Sequence, residues 1–189
     1  MRWLTPRGST AALVVGVAVA YGLGWRGVAA LLAFFVSSSL LSKRHIQRNE
    51  RQVVANGGVA ALAALAGNWP AFAGSLAAAT ADTWATEIGR RARTPPRLVT
   101  TWAPVPAGTD GGMTLLGTLG GIAGAGFIAG TSYLLGFPWA IVITLAGTVG
   151  MLLDSILGAT VQGRVRWMDN DAVNLAATLT GAVVAGVLR

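Results

Sequence analysis

The sequence predicts an all-α protein, a polytopic transmembrane helix bundle of about seven spans that forms a single integral-membrane domain over residues 1–189. Three observations predict it. Only 11% of the residues are charged and 53% are hydrophobic, whereas a soluble domain carries about 25% charged residues. Mean hydropathy is +0.61. Apolar stretches of about 20 residues, the length that crosses a bilayer, recur between short basic clusters.

By that length rule the spans fall near 9–25, 26–42, 53–67, 69–88, 112–136, 138–160 and 171–188. The first two share a tight turn at 22–27, the third and fourth a turn at 67–70, and the fifth and sixth a turn at 136–138. Trp25, Trp69 and Trp139 mark these turns, as amphipathic rings do at the water interface. The segment near 53–67 is short and begins with Asn56-Gly57-Gly58, so a broken or re-entrant stretch is expected there. Gly117 and Gly121, Gly120 and Gly124, and Gly126 and Gly130 are spaced for close helix packing. No inverted repeat supports a transporter built from halves. No cleavable signal peptide is read, because the apolar stretch after the basic start lacks a small-residue cleavage site.

The remaining connections are basic. Lys43, Arg44, Arg48 and Arg51 follow the second span, Arg90, Arg91, Arg93 and Arg97 the fourth, and Arg164 and Arg166 the sixth. With Arg2 and Arg7 they share one side of a seven-span chain, which leaves only Arg26 and Arg189 of the 14 Lys+Arg opposite. The positive-inside rule makes the crowded side cytoplasmic, with the N-terminus inside and the C-terminus outside a cytoplasmic (inner) membrane. The net charge of +7 is therefore read as orientation and not as nucleic-acid binding. The absence of cysteine excludes disulfides and thiolate metal sites.

The seven acids, Glu50, Asp82, Glu87, Asp110, Asp154, Asp169 and Asp171, all fall at or near the basic side. Asp82 and Asp154 lie at matched depth on different helices, about 10–12 Å inside the helix ends at 1.5 Å per residue. A carboxylate inside the membrane costs at least ~2.5 kcal/mol, so such residues usually face a partner or a wet cavity. A helix-locking pair with a loop arginine is the plainer alternative, and Glu50 and Asp169 read as solvated loop residues. Oxygen donors with little nitrogen or sulfur suit Mg²⁺, which is commonly held by one or two carboxylates plus substrate phosphates. The lone His45 argues against zinc.

The basic loops offer donors to phosphate oxygens, although they could equally set orientation and touch anionic lipid. Thr109-Asp110-Gly111-Gly112 precedes a helix, where exposed backbone N–H groups can meet an anion. It is not a Walker A loop, since no Gly-Lys-Ser/Thr follows. Acids for a metal and cations for phosphate, both at the lipid–water boundary, suit a lipid with a phosphate head.

Five blocks in order resemble one membrane family: Arg51-Gln52-Val53-Val54-Ala55-Asn56-Gly57-Gly58; residues 74–89 with Asp82-Thr83-Trp84-Ala85-Thr86-Glu87; Val105-Pro106-Ala107-Gly108-Thr109-Asp110-Gly111-Gly112; residues 153–162 with Asp154; and Asn170-Asp171-Ala172-Val173-Asn174. The family is the integral-membrane one that contains plant phytyl-phosphate kinase and uncharacterised bacterial, archaeal and animal relatives. The resemblance covers about residues 40–188. It implies transfer of phosphate from a nucleoside triphosphate, such as CTP, to an isoprenyl or phytyl monophosphate. Carried over, the implied site is Asn56, Asp82, Glu87, Asp110, Asp154, Asp171 and Asn174, with Lys43, Arg44 and Arg51 as cations. The expected assignment has Asp82, Asp154 and Asp171 holding Mg²⁺, Glu87 supporting catalysis, and Lys43, Arg44, Arg51, Asn56, Asp110, Gly111, Gly112 and Asn174 binding substrate or phosphate. A CDP-lipid-forming nucleotidyl transferase and an ion or anion transporter are the competing readings. Chain length, nucleotide and whether a homodimer forms stay open.

Overall fold

Residues 3–42 and 47–189 are described in a computed structural model. Lys43, Arg44 and His45 lie outside the described residues. The helices are α1 Pro6–Leu41, α2 Glu50–Leu65, α3 Trp69–Gly89, α4 Leu115–Leu134, α5 Ala140–Thr160 and α6 Asn170–Val187. Between α3 and α4, two-residue strands β1 Arg97–Leu98 and β2 Gly112–Met113 pair antiparallel. Local chemistry sets most helix starts. The side chains of Thr5, Asn49, Asn68, Thr114 and Asp169 each accept a first-turn N–H, which stabilises a helix by typically ~1 kcal/mol.

The helix α1 is two antiparallel arms. Gly24 sits at φ 63°, ψ −157°, outside helical space. A Cβ built on Gly27 would lie 2.9 Å from the Val19 side chain, whereas residues eight apart in a straight helix are about 12 Å apart. The arms' ends meet again where Thr5 donates to the Arg48 carbonyl at 3.1 Å and Arg48 to the Trp3 carbonyl at 3.0 Å. The expected turn at 22–27 is thus made around one glycine.

The expectation of a broken or re-entrant segment near 53–67 is corrected. α2 is continuous through Asn56, Gly57 and Gly58, because a capping box at Asn49 and Gln52 starts it and packing holds it. It runs beside the first arm from Arg48, against which Gly8 packs, to Ala64, against which Gly22 packs. Its 16 residues make it short, as expected.

The bundle is built around α3, which is buried without interruption from Trp69 to Ala81 and touches α1, α2, α4, α5 and α6. Small residues allow this. Gly117, Gly121 and Gly124 of α4 lie against the carbonyls of Ala85, Ala81 and Thr80, and Gly74 and Gly181 bring α3 and α6 into backbone contact. Gly126 and Gly130, expected in the packing row, meet nothing within 4 Å: they fall on the outward face of α4. Trp69 also departs from its expected interfacial place. It is 3% exposed, stacks on Phe137 at 3.6 Å and donates to Ser132 at 2.6 Å.

Among the described residues three helices, Pro6–Leu41, Leu115–Leu134 and Ala140–Thr160, are long and apolar enough to cross a membrane. The outer surface carries exposed large apolar side chains such as Leu13, Val17, Leu62, Leu119, Ile141 and Val183, a belt that suits lipid and not water. The bundle has two unlike poles. One gathers the tight turns, where Arg26 lies over Trp25 and Phe137. The other gathers the charges, where Arg7 faces Glu50 at 3.8 Å and Arg90 holds Glu87 at 2.9 Å.

Candidate functional site

At the charged pole α3 leaves the core at Ala81, and the next residue is Asp82. Neighbouring hydroxyls do not serve it: Thr80 and Thr83 donate back to the carbonyls of Leu76 and Ala79, at 2.7 and 2.9 Å. Asp154 comes from α5. The two carboxyl groups lie within hydrogen-bonding reach of each other, and Asp110 is close enough to act on Asp154 electrostatically. Oδ2 of Asp154 is buried with no hydrogen-bond partner. Two adjacent carboxylates with an orphaned oxygen call for a proton or a cation, because an uncompensated buried charge is costly.

Both acids open onto a cavity of about 500 Å³ roofed by the loop between α3 and α4. Gly111, at φ 74°, lets this loop press onto α5, since a Cβ there would lie 2.6 Å from the Ser155 carbonyl. That contact carries Asp110 over the neighbourhood of Gly158, one turn along α5 from Asp154. The strand pairing and a 3.0 Å hydrogen bond from Val99 to the Gly111 carbonyl hold the roof. Arg90 and Arg93 stand at the rim with Thr86, Thr118, Ser155, Gln162 and Asn170. The arrangement offers oxygen ligands at its floor and guanidinium groups at its mouth.

The expected site residues divide. Asp82, Asp154, Asp110, Gly111 and Gly112 come together. The Gly112 N–H is already donated to the Thr109 carbonyl at 2.9 Å, so the expected paired N–H anion nest is not formed there. Asp171, expected beside Asp82 and Asp154, instead faces Arg51 at 3.4 Å and does not line the cavity. Arg51 also binds Asp169, whose carboxyl caps Ala172 at 3.0 Å. Together the Ala172 N–H and the Arg51 guanidinium hold the Asp169 carboxyl below the usual carboxylate range, so it is no idle loop acid. Among the described residues no three acids or histidines cluster as a metal site.

Glu87 does not line the cavity and pairs with Arg90, which does. Five residues along a helix is a rotation of about 140° from Asp82, so the sequence already put Glu87 on another face. Thr86, four residues on and about 40° away, is the neighbour that lines the cavity, and that spacing was the signal for it. Nothing local distinguished Ser155 or Thr118. Asn56 lines a separate apolar groove, and Asn174 lines neither cavity. Lys43 and Arg44 lie outside the described residues.

The chain belongs to the family of the integral membrane protein DUF92, which it matches over residues 1–182. It is 35% identical to an uncharacterized membrane protein of Methanocaldococcus jannaschii, over 99% of this chain and 86% of that protein. A similar protein of Synechocystis is 34% identical over 96% of this chain and 81% of the relative. The chloroplastic protein VTE6 of Arabidopsis thaliana is 36% identical over 62% of this chain and 37% of its own length. No solved structure matches the chain.

Proposed function

With that membership as the premise, we propose that the protein is a lipid-phosphate phosphotransferase working at the charged pole, which faces the cytoplasm. Its reaction moves the γ-phosphoryl group of a nucleoside triphosphate, CTP among the candidates, to an isoprenyl or phytyl monophosphate. An oxygen of the acceptor monophosphate bonds to the γ-phosphorus, the bond from that phosphorus to the β–γ bridging oxygen breaks, and the nucleoside diphosphate leaves. The acceptor is already an anion, so no side chain has to remove a proton.

One observation carries the reading: Asp82 and Asp154 meet with a buried, unpartnered carboxylate oxygen on the floor of a cavity rimmed by Arg90 and Arg93. An all-oxygen donor set of this kind fits Mg²⁺. Asp82 and Asp154 would hold it, with Asp110 lining the same cavity. Bound there, the ion would neutralise phosphate charge, the main requirement of phosphoryl transfer along with positioning. Arg90 and Arg93 bind phosphate oxygens, and the loop at 105–112 keeps water from the floor. Seven crossings, counting the two arms of α1 separately, agree with the segregation of turns and charges to opposite poles.

The test is purified protein with phytyl or polyprenyl monophosphate, each of the four nucleoside triphosphates and Mg²⁺, read by product mass. A lipid diphosphate is expected, and Asp82→Asn should lower its rate at least ~1,000-fold with the fold intact. A CDP-linked product would instead identify a nucleotidyl transferase. Ion flux in proteoliposomes without nucleotide, and no product, would identify a transporter.

A further inference from the structure

A second hollow lies beside the carboxylate cavity, reached one residue further along α3. It is an apolar groove of about 390 Å³ between the two arms of α1 and α2, walled by Leu13, Leu31, Phe34 and Phe35 among others. Its polar groups are few, namely Ser9 from the first arm of α1 together with Arg48, Gln52, Asn56 and Thr83. Arg48 is held from behind: it donates to Ser39 at 2.9 Å and more weakly to Ser42 at 3.4 Å, and its guanidinium lies 5.9 Å from the Phe35 ring centre. Among the described residues no carboxylate lies within 4.0 Å of it. Glu87, the acid that acts on it from a distance, is already bound to Arg90. Burial lowers the Arg48 pKa, with Glu87 only offsetting this, yet arginine stays charged in proteins. A desolvated cation at the head of an apolar slot is the complement of a chain with an anionic head.

We infer that this groove holds the acceptor lipid, its isoprenoid chain lying between the arms of α1 and α2 and its monophosphate meeting Arg48, Gln52 and Asn56. The inference rests on the phosphotransferase reading and adds where the acceptor binds. Thr83 lines the groove while its chain neighbour Asp82 lines the cavity, so at the charged end of α3 the two hollows are neighbours, about 100° apart around the helix. Gly16 supplies a probe: it lines the groove, and a Cβ there meets nothing within 4 Å. A Cβ at Gly16 therefore enters the slot without striking the backbone, larger side chains extend from there into the groove, and a non-glycine residue favours the helix.

The experiment measures KM for a phytyl monophosphate and for a five-carbon prenyl monophosphate whose chain is too short to pass Gly16. Gly16→Phe should raise the ratio of the two constants about tenfold, with Gly16→Ala in between. Arg48→Gln should raise both constants, and Arg48→Lys should partly restore them. In parallel, a diazirine-bearing phytyl monophosphate is photolysed with wild-type protein in nanodiscs, and the labelled peptides are identified by mass. Labelling of α1 and α2 that a lipid monophosphate displaces and phytol does not is the expected result. Labelling that ignores the head group, or an unchanged KM ratio in folded Gly16→Phe, overturns the groove. Turnover without groove labelling removes this inference and leaves the phosphotransferase. Head-selective labelling without any turnover does the reverse.

Discussion

Replacing Asp154 by asparagine removes one of two facing carboxylates, and the structure sets opposite outcomes with and without a divalent cation. Oδ2 of Asp154 is buried and has no hydrogen-bond partner. An unsatisfied buried polar group costs about 1–3 kcal/mol, more when charged. Asp154→Asn removes the charge, and the new amide can donate to Asp82. In EDTA the variant should therefore be more stable than wild type by about 1–3 kcal/mol, or roughly 3–9 °C in Tm for a chain of this size. In Mg²⁺ at 100 times its dissociation constant, a wild-type site gains about 2.7 kcal/mol, and the variant gains much less. The two proteins thus converge or cross as Mg²⁺ is added. The assay is thermal unfolding in detergent, followed by tryptophan fluorescence across a Mg²⁺ titration. If the variant is the less stable protein in EDTA, the carboxylate oxygen was not orphaned. If Mg²⁺ stabilises both equally, the pair does not hold the ion.

Gly74→Ala forces a methyl group onto the Gly181 carbonyl and the Ala185 side chain; overpacking of this kind costs typically 1–3 kcal/mol. Gly126→Ala, which meets nothing, should instead stabilise by up to ~1 kcal/mol, and thermal unfolding compares the two. Gly24→Ala places a side chain at φ 63°, ψ −157°, a region open to glycine alone at a cost of order 1–3 kcal/mol. It should loosen the α1 hairpin, read by faster proteolysis at residues 22–27. The Asp169 carboxyl has a folded pKa below its ordinary 3.8, so its contribution is present above that value and is lost as pH falls through the folded one. Asp169→Asn keeps a capping group and drops the charge. It should lower Tm at pH 7, and the difference should shrink as the pH falls below 3.8.

Several features were legible because they are local or one-dimensional. Helix positions follow from apolar length. The segregation of arginine and carboxylate to one pole follows from counting crossings. The depth of Asp82 and Asp154 follows from the rise per residue. What was not legible is rotation about each helix axis. Asp171 was expected at the cavity because the family resemblance implies it there, but α6 turns it toward Arg51. Asp110 was expected near phosphate, and Gly111 folds its loop over α5 beside Asp154.

The sequence by itself determined an all-helical membrane protein with a charged pole and two acids at one depth, because hydropathy, rise and charge count need no knowledge of neighbours. Only the tertiary structure decided which carboxylates meet, that α3 is central, and that a second hollow opens beside Arg48. Those depend on where small residues let backbones touch, as at Gly74 and Gly181. Such contacts set each helix's rotation to within a fraction of a turn, and a fraction of a turn separates a side chain in the cavity from one facing a loop arginine.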